Sequence, residues 1–245
     1  ADVSLGAAAS GYGTLNLNGG TLIARNIVKG GGLSGILSFN GGLLMPRTAG
    51  YTLSGLTAAY VSTNGAIFDT SLANYAVAQN LLHAPGAPSV DGGLVKLGTN
   101  TLTFTSYSST YTGPTVVSNG TLGIAGTLPA NNALAVAAAG EALIGGSATQ
   151  TVTVANLTLA AGAKLGFALA VDGTTNDRLK VASSPVIGPG CGIALYQQNT
   201  RQPFAKTGTY TLLTYSDSDP AAANLACANP AYGKTYTFAA SGGSL

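Results

Sequence analysis

Side chains able to do chemistry are sparse in this chain. Its 245 residues include 8 acids, 10 lysines and arginines, 1 histidine and 2 cysteines. His83 is the sole imidazole, and Asp69 and Asp91 lie to either side of it in the sequence. Two carboxylates facing each other across a sugar would hydrolyse a glycosidic bond. A histidine needs a nucleophile and an orienting carboxylate to make a triad, and no nucleophile motif accompanies His83. Asp69 and Asp91 are therefore expected to be solvated loop charges, and no catalytic residue is assigned. Zinc needs clustered His and Cys, which one histidine and two distant cysteines do not provide. Calcium takes six or more oxygens, so Asp172-Gly-Thr-Thr-Asn-Asp177 and Asp217-Ser-Asp219 are expected to be polar turns. No metal or cofactor is expected. Gly30-x-Gly32-x-x-Gly35 matches a dinucleotide fingerprint in letters only, because it leads into a predicted strand instead of a helix.

Two weaker chemistries remain. Cys191 and Cys227 both fall in the last quarter of the chain. In a chain of secreted-type composition a disulfide between them is expected, with two buried thiols as the alternative. The bridge would close a long loop and add roughly 3–4 kcal/mol in the chain-entropy model. The 11 tyrosines and the abundant Asn, Ser and Thr suit carbohydrate contact, and Tyr107 and Tyr111, on one polar turn, are the candidates.

The elements that would hold these residues follow from composition and period. Glycine is abundant at 35 residues, charged residues make up 7%, tryptophan is absent, and the net charge of +2 is spread thinly. Without a cluster of Lys or Arg the chain is not expected to bind nucleic acid. Mean hydropathy is +0.32, yet no apolar run approaches the roughly 18–20 residues of a spanning helix. No transmembrane segment is expected. The first residues carry no basic leader with an apolar core, so any signal peptide is expected to have been removed.

Internal repetition decides the fold class. Gly13-Thr-Leu-Asn-Leu-Asn-Gly-Gly-Thr-Leu22 aligns with Gly35-Ile-Leu-Ser-Phe-Asn-Gly-Gly-Leu-Leu44 without a gap, at an offset of 22. Leu15, Leu17 and Leu22 fall on Leu37, Phe39 and Leu44, alternating with polar residues, which is the period-two signature of strands buried on one face. Ala135, Ala137 and Leu143 align with Leu157, Leu159 and Leu165 at the same offset. Leu165, Phe167, Leu169 and Val171 would line the core of a further strand, with Gly166, Ala168 and Ala170 on its small-residue outer face. A repeat of about 20–25 residues made of strands and turns predicts a solenoid of stacked rungs, roughly eleven in this length. Leu102, Phe104, Val117 and Leu122 are expected in the core. Residues 68–90 loosen the pattern and are expected in part as an extruded loop. Residues 1–182 thus read as rungs, with the best-kept repeat at residues 92–122. Residues 183–245 read as a more irregular β-rich continuation or cap, with strands at 193–195, 210–215 and 236–238, following one at 179–181. No capped helix of 3.6 period is present.

The best-kept repeat resembles the autotransporter-associated β-strand repeat, also called the passenger-associated transport repeat. The resemblance rests on Gly93-Leu-Val-Lys-Leu-Gly98, Thr101-Leu-Thr-Phe104, Ser109-Thr-Tyr-Thr-Gly113, Thr115-Val-Val117 and Gly120-Thr-Leu122, with Ser109 in place of the usual Asn. It implies a right-handed parallel β-helix on a bacterial surface or secreted from it, in which the repeat is structural. The expected function is therefore a non-enzymatic extracellular module for adhesion, display or scaffolding. A self-assembling filament subunit, joined through the solenoid ends, is the first alternative. A polysaccharide-binding or -processing β-helix is the second. A glycan or host-surface ligand is the expected partner.

Overall fold

A computed structural model describes residues 2–146, 148–170 and 175–245. The chain divides into two compact units, Ala1–Val116 and Val117–Leu245. The division falls well before the change of character expected near residue 182. Both units are all-β and built from the parallel rungs of a β-solenoid, about eight turns in all. That is fewer than a constant 22-residue rung would allow, because the later rungs are longer.

Each rung of the first unit has three strands. The first holds β1 (Asp2–Leu5), β2 (Tyr12–Leu17) and β3 (Thr21–Ala24). The second holds β4 (Asn26–Lys29), β5 (Ser34–Phe39) and β6 (Leu43–Pro46). The third holds β7 (Thr52–Leu53), β8 (Ala58–Val61) and β9 (Ala66–Asp69). The fourth holds β10 (Tyr75–Val77), β11 (Leu81–His83) and β12 (Leu94–Leu97), after which β13 (Thr101–Phe104) begins the next. Strands pair in parallel with their counterparts one rung on. β2, β5, β8 and β11 form one sheet, and β3, β6, β9 and β12 run side by side in another. Leu15 stands opposite Leu37 and Leu17 opposite Phe39, so the offset of 22 holds.

Stacking follows from the alternation. Leu37, Ala59 and Leu81 form one fully buried column, and Phe39 sits on Val61 in the next. The Phe39 and Phe68 rings meet at 5.2 Å. Burying each large apolar side chain contributes about 1.5–3 kcal/mol, which a rung obtains only with a neighbour to cover it. Polar columns run beside the apolar ones. At one corner Asn64 Nδ2 donates to Asn40 Oδ1 at 3.0 Å, and Asn40 Nδ2 donates to Asn18 Oδ1 at 3.4 Å. Residues 68–90 carry β10 and β11, in register with β7 and β8; the chain leaves the ladder only between β11 and β12. Strands of three residues are too short for alternation to betray them in the sequence.

The second unit takes in most of β14 (Thr115–Ile124), and then β15 (Ala133–Ile144), β16 (Thr151–Val154), β17 (Asn156–Leu159) and β18 (Lys164–Leu169). It continues with β19 (Arg178–Val181), β20 (Val186–Ile187), β21 (Cys191–Gln197), β22 (Leu213–Tyr215) and β23 (Leu225–Cys227). A 3-10 turn, Ala222–Asn224, precedes β23. Leu102, Phe104, Val117 and Leu122 are fully buried, as expected. The second repeat alignment is corrected by one residue. Leu134 stands opposite Leu157 and Ala142 opposite Leu165, an offset of 23. A one-residue slip exchanges the two faces. Leu134, Val136, Ala142 and Ile144 therefore line the core, while Leu143 lies outside, over Gly166.

Leu165, Phe167 and Leu169 face the core as expected, and Val171 lies outside the described residues. The small face of β18 is covered by the chain itself. Gly166 lies beneath the Tyr196 ring, and Asp177 reaches the Gly145 backbone beside Ala168. In the last quarter, 213–215 alone of the expected 210–215 forms a strand, and none forms at 236–238. There the Tyr236 hydroxyl donates to the Phe204 carbonyl oxygen at 2.7 Å instead. The last residues pair antiparallel with β22: Leu245 donates to the Leu213 carbonyl, and Tyr215 to that of Gly243.

The expected disulfide is absent, and both cysteines are free thiols. Cys191 stands opposite Leu225, and Cys227 opposite Ile193. The two are diagonal neighbours about 8 Å apart by ladder spacing, beyond the roughly 7 Å that a bridge spans. No helix among the described residues is long and apolar enough to cross a membrane.

Candidate functional site

The densest polar constellation of the first unit surrounds Asp91, at the corner before β12. Its side chain is wholly buried. Oδ1 accepts from the backbone N–H groups of Gly93 and Gly113, each at 2.9 Å. Oδ2 accepts from the Thr112 N–H at 2.9 Å and pairs with His83 Nδ1 at 2.8 Å. The Asp91 N–H in turn donates to Thr112 Oγ1. Burial raises the carboxyl pKa, but His83 and the three backbone donors outweigh it and hold the group below the usual carboxylate range. The corner can close in this way because Gly93 has a φ of +69° and lies against the Pro114 carbonyl, where any Cβ would overlap.

Lys96 closes the next corner, at the far end of β12, from inside. It follows Leu22, Leu44 and Phe68 down a column of the core and is itself fully buried. Its ammonium donates to the carbonyl oxygens of Leu97 and Gly98, each at 2.8 Å. Burial lowers its pKa to about 8, against a smaller opposing pull from Asp69. Thr70 Oγ1 donates to the Leu97 and Asn100 carbonyls, and Asn100 Nδ2 returns a bond to Thr70, lashing this corner to the rung before. Each polar residue of the Gly-Leu-x-Lys-x-Gly run and its surroundings is thus engaged by the solenoid's own backbone.

The candidate residues separate clearly. Tyr111 is 1% exposed, with its hydroxyl 2.7 Å from Thr115 Oγ1. Burial pushes its pKa up, and it presents no face to a glycan, so it is a core residue and not a contact. Tyr107 is 67% exposed. Asp69 and Asp91 are not brought together: Asp69 ends β9 and binds the Ser71 N–H, whereas Asp91 precedes the start of the neighbouring β12. His83, 30% exposed, does meet Asp91. The hydroxyl within its reach is Thr112 Oγ1 at 3.4 Å, on the same Nδ1 that holds Asp91 and not on the nitrogen a relay would use.

The second unit holds two further clusters, one around Glu141, which spacing did not signal, and one around Asp177, which was expected in a polar turn and is instead buried. Glu141 Oε1 accepts from the Tyr196 hydroxyl at 2.9 Å. Its Oε2 accepts from Thr121 Oγ1 and Arg201 Nη1, and the Arg201 guanidinium lies 4.8 Å from the Tyr196 ring centre. Burial and Glu141 raise the Tyr196 pKa. Asp177 is buried, with Oδ1 accepting from the Gln150 N–H at 2.7 Å. Its Oδ2 has no hydrogen-bond partner among the described residues. Burial drives its pKa up to about 7, against the Gln150 hydrogen bond. Three members of the expected turn before it, 172–174, lie outside the described residues. In the other expected polar turn, Asp219 Oδ1 accepts from the Tyr215 hydroxyl.

Stacked parallel rungs, with corners closed by a buried acid and a buried lysine, define a β-solenoid whose best-formed turn is a structural repeat. Residues 94–124 match the family model of the passenger-associated-transport-repeat. No curated protein matches the chain, and no solved structure does.

Proposed function

We propose that this chain is a non-enzymatic, extracellular β-solenoid module of a bacterial surface or secreted protein, working in adhesion or display. The passenger-associated-transport-repeat at residues 94–124 carries the reading. It is supported by the way Asp91, Lys96 and Tyr111 are occupied by structure, while Tyr107 is 67% exposed. Antibody to the chain should label intact cells of the source bacterium, and external protease should remove the label. Labelling confined to lysed cells would sink the proposal. On a glycan array, binding that is lost in Tyr107→Ala would mark the adhesive face; no binding by the unaltered chain would leave a plain stalk.

A further inference from the structure

Four asparagines of the chain are each followed by glycine: Asn18, Asn40, Asn64 and Asn119. The first three belong to the polar corner ladder, and their amides are turned to neighbouring rungs. Asn40 Oδ1 accepts from the Asn64 N–H and Nδ2, and Asn18 Oδ1 accepts from Asn40 Nδ2. The glycine N–H groups of two of these pairs are also engaged: Gly41 donates to the Gly65 carbonyl and Gly65 to that of Ser62, each at 3.0 Å. Asn119, on β14, is arranged differently. Its side-chain Oδ1 lies 2.7 Å from the backbone nitrogen of Gly120, whose N–H it accepts. With a C=O bond of about 1.23 Å, that contact puts the nitrogen about 3–3.5 Å from Asn119 Cγ, the separation of a near-attack arrangement. Gly120 has a φ of +64°, and glycine offers no Cβ to obstruct the approach. Both residues are half-buried, so water has access.

We infer that Asn119 is a site of self-modification, at which the Gly120 nitrogen closes on the side-chain amide. The Gly120 N–H gives its proton to hydroxide, and the nitrogen forms a bond to Asn119 Cγ. The Cγ–Nδ2 bond breaks, and ammonia leaves with a proton from water. The product is a five-membered succinimide. Water then opens it at either carbonyl, giving aspartate, or isoaspartate with the backbone rerouted through Cγ. Each route replaces a neutral amide by a carboxylate and lowers the net charge of +2 by one. The fold decides which asparagine reacts, because the Asn-Gly spelling gives all of them the same chemistry. Ring atoms already held together spend no orientational freedom on closure, whereas a ladder amide must first leave its partners on the next rung. The isoaspartyl form also adds a methylene to the backbone within residues 94–124, the matched repeat.

The test is to hold the full chain at mildly alkaline pH, folded in buffer and unfolded in urea, and to follow each Asn-Gly pair by peptide mass spectrometry. Labelling with isoaspartate methyltransferase gives an independent count. In the unfolded chain the pairs should convert at similar rates. In the folded chain Asn119 should convert first and at least as fast as in urea, while Asn40 and Asn64 slow by roughly tenfold or more. Asn119→Gln, whose closure would need a six-membered ring, should remove most of the label from the folded chain. The inference is overturned if Asn18, Asn40 or Asn64 converts before Asn119 in the folded chain, if Asn119 converts faster in urea than in the fold, or if the label survives Asn119→Gln.

Discussion

Asp91 and His83 form one pair with unequal shares. The carboxylate is buried and accepts three backbone N–H bonds besides the imidazole, while the imidazole is partly in water. Charge-assisted bonds to a buried acceptor are worth about 1.5–3 kcal/mol each, and exposed ion pairs about 0–1 kcal/mol. Asp91→Asn places an amide N–H₂ where donors already converge, and should lower the unfolding free energy by about 2–4 kcal/mol. His83→Ala should lower it by about 1 kcal/mol or less. Urea unfolding of the two variants checks this; equal losses would mean that the imidazole holds the corner. The sequence hid the role of Asp91. Two of its partners, Thr112 and Gly113, lie a rung away in the chain, and an acid beside two glycines reads as a loop charge. Tyr111 misled for a related reason: a tyrosine on a polar turn looks exposed until its hydroxyl is found bonded to Thr115 inside the fold.

Strands here are set by alternation, and corners by backbone conformation. Gly93 and Gly86 both have positive φ, +69° and +78°. Around Gly86 nothing lies within 4 Å, whereas a Cβ on Gly93 would overlap the Pro114 carbonyl. Gly86→Ala should therefore cost about 1 kcal/mol, the strain of a side chain in the left-handed region. Gly93→Ala should cost at least about 3 kcal/mol, because the corner must also move. Thermal melts that rank the two alike would show that the corner is soft. The first repeat was legible because Leu15 and Leu17 fall on Leu37 and Phe39, with glycine pairs in step behind them. In β15 alanine lies on both faces, so matching leucine to leucine chose Leu143, an outer residue, over Ala142, an inner one. The small face of β18 carried no sign in the sequence of the Tyr196 ring that lies over Gly166.

Across the whole chain, buried titrating groups give stability an uneven dependence on pH. Asp177 titrates at about 7 in the fold and about 3.9 unfolded. Between those values the fold retains a proton that the unfolded chain releases, so stability falls as pH rises. Lys96 titrates at about 8 in the fold and about 10.4 unfolded. Over that window the unfolded chain retains the proton, so stability climbs. Tyr75 and Tyr111 are both raised by burial and pull stability down again above about pH 10. Asp91, held low, contributes stability that is lost only as acid takes pH below about 4. Urea midpoints should thus peak near pH 4–5, dip near 7–8 and recover towards 10. Asp177→Asn should flatten the first limb and Lys96→Met the second; a single smooth maximum at neutral pH would refute the assignment. The all-β solenoid class was plain in the repeats. The buried lysine and the division near residue 116 were not, since both depend on what stacks against what.

Rung length is the least conserved quantity along the ladder. The offset between paired strands is 22 at β2 and β5, 28 at β18 and β21, and 34 at β21 and β23. Lengthening a closed segment from 22 to 34 residues adds only about 0.4 kcal/mol of loop entropy. Insertions at corners are therefore nearly silent in stability, while a single insertion within a strand turns its faces inside out. Such a chain can drift far in spelling and keep its architecture. The exposed stretch between β11 and β12, residues 85–89, is a natural graft point where foreign peptides could be carried without disturbing the stack.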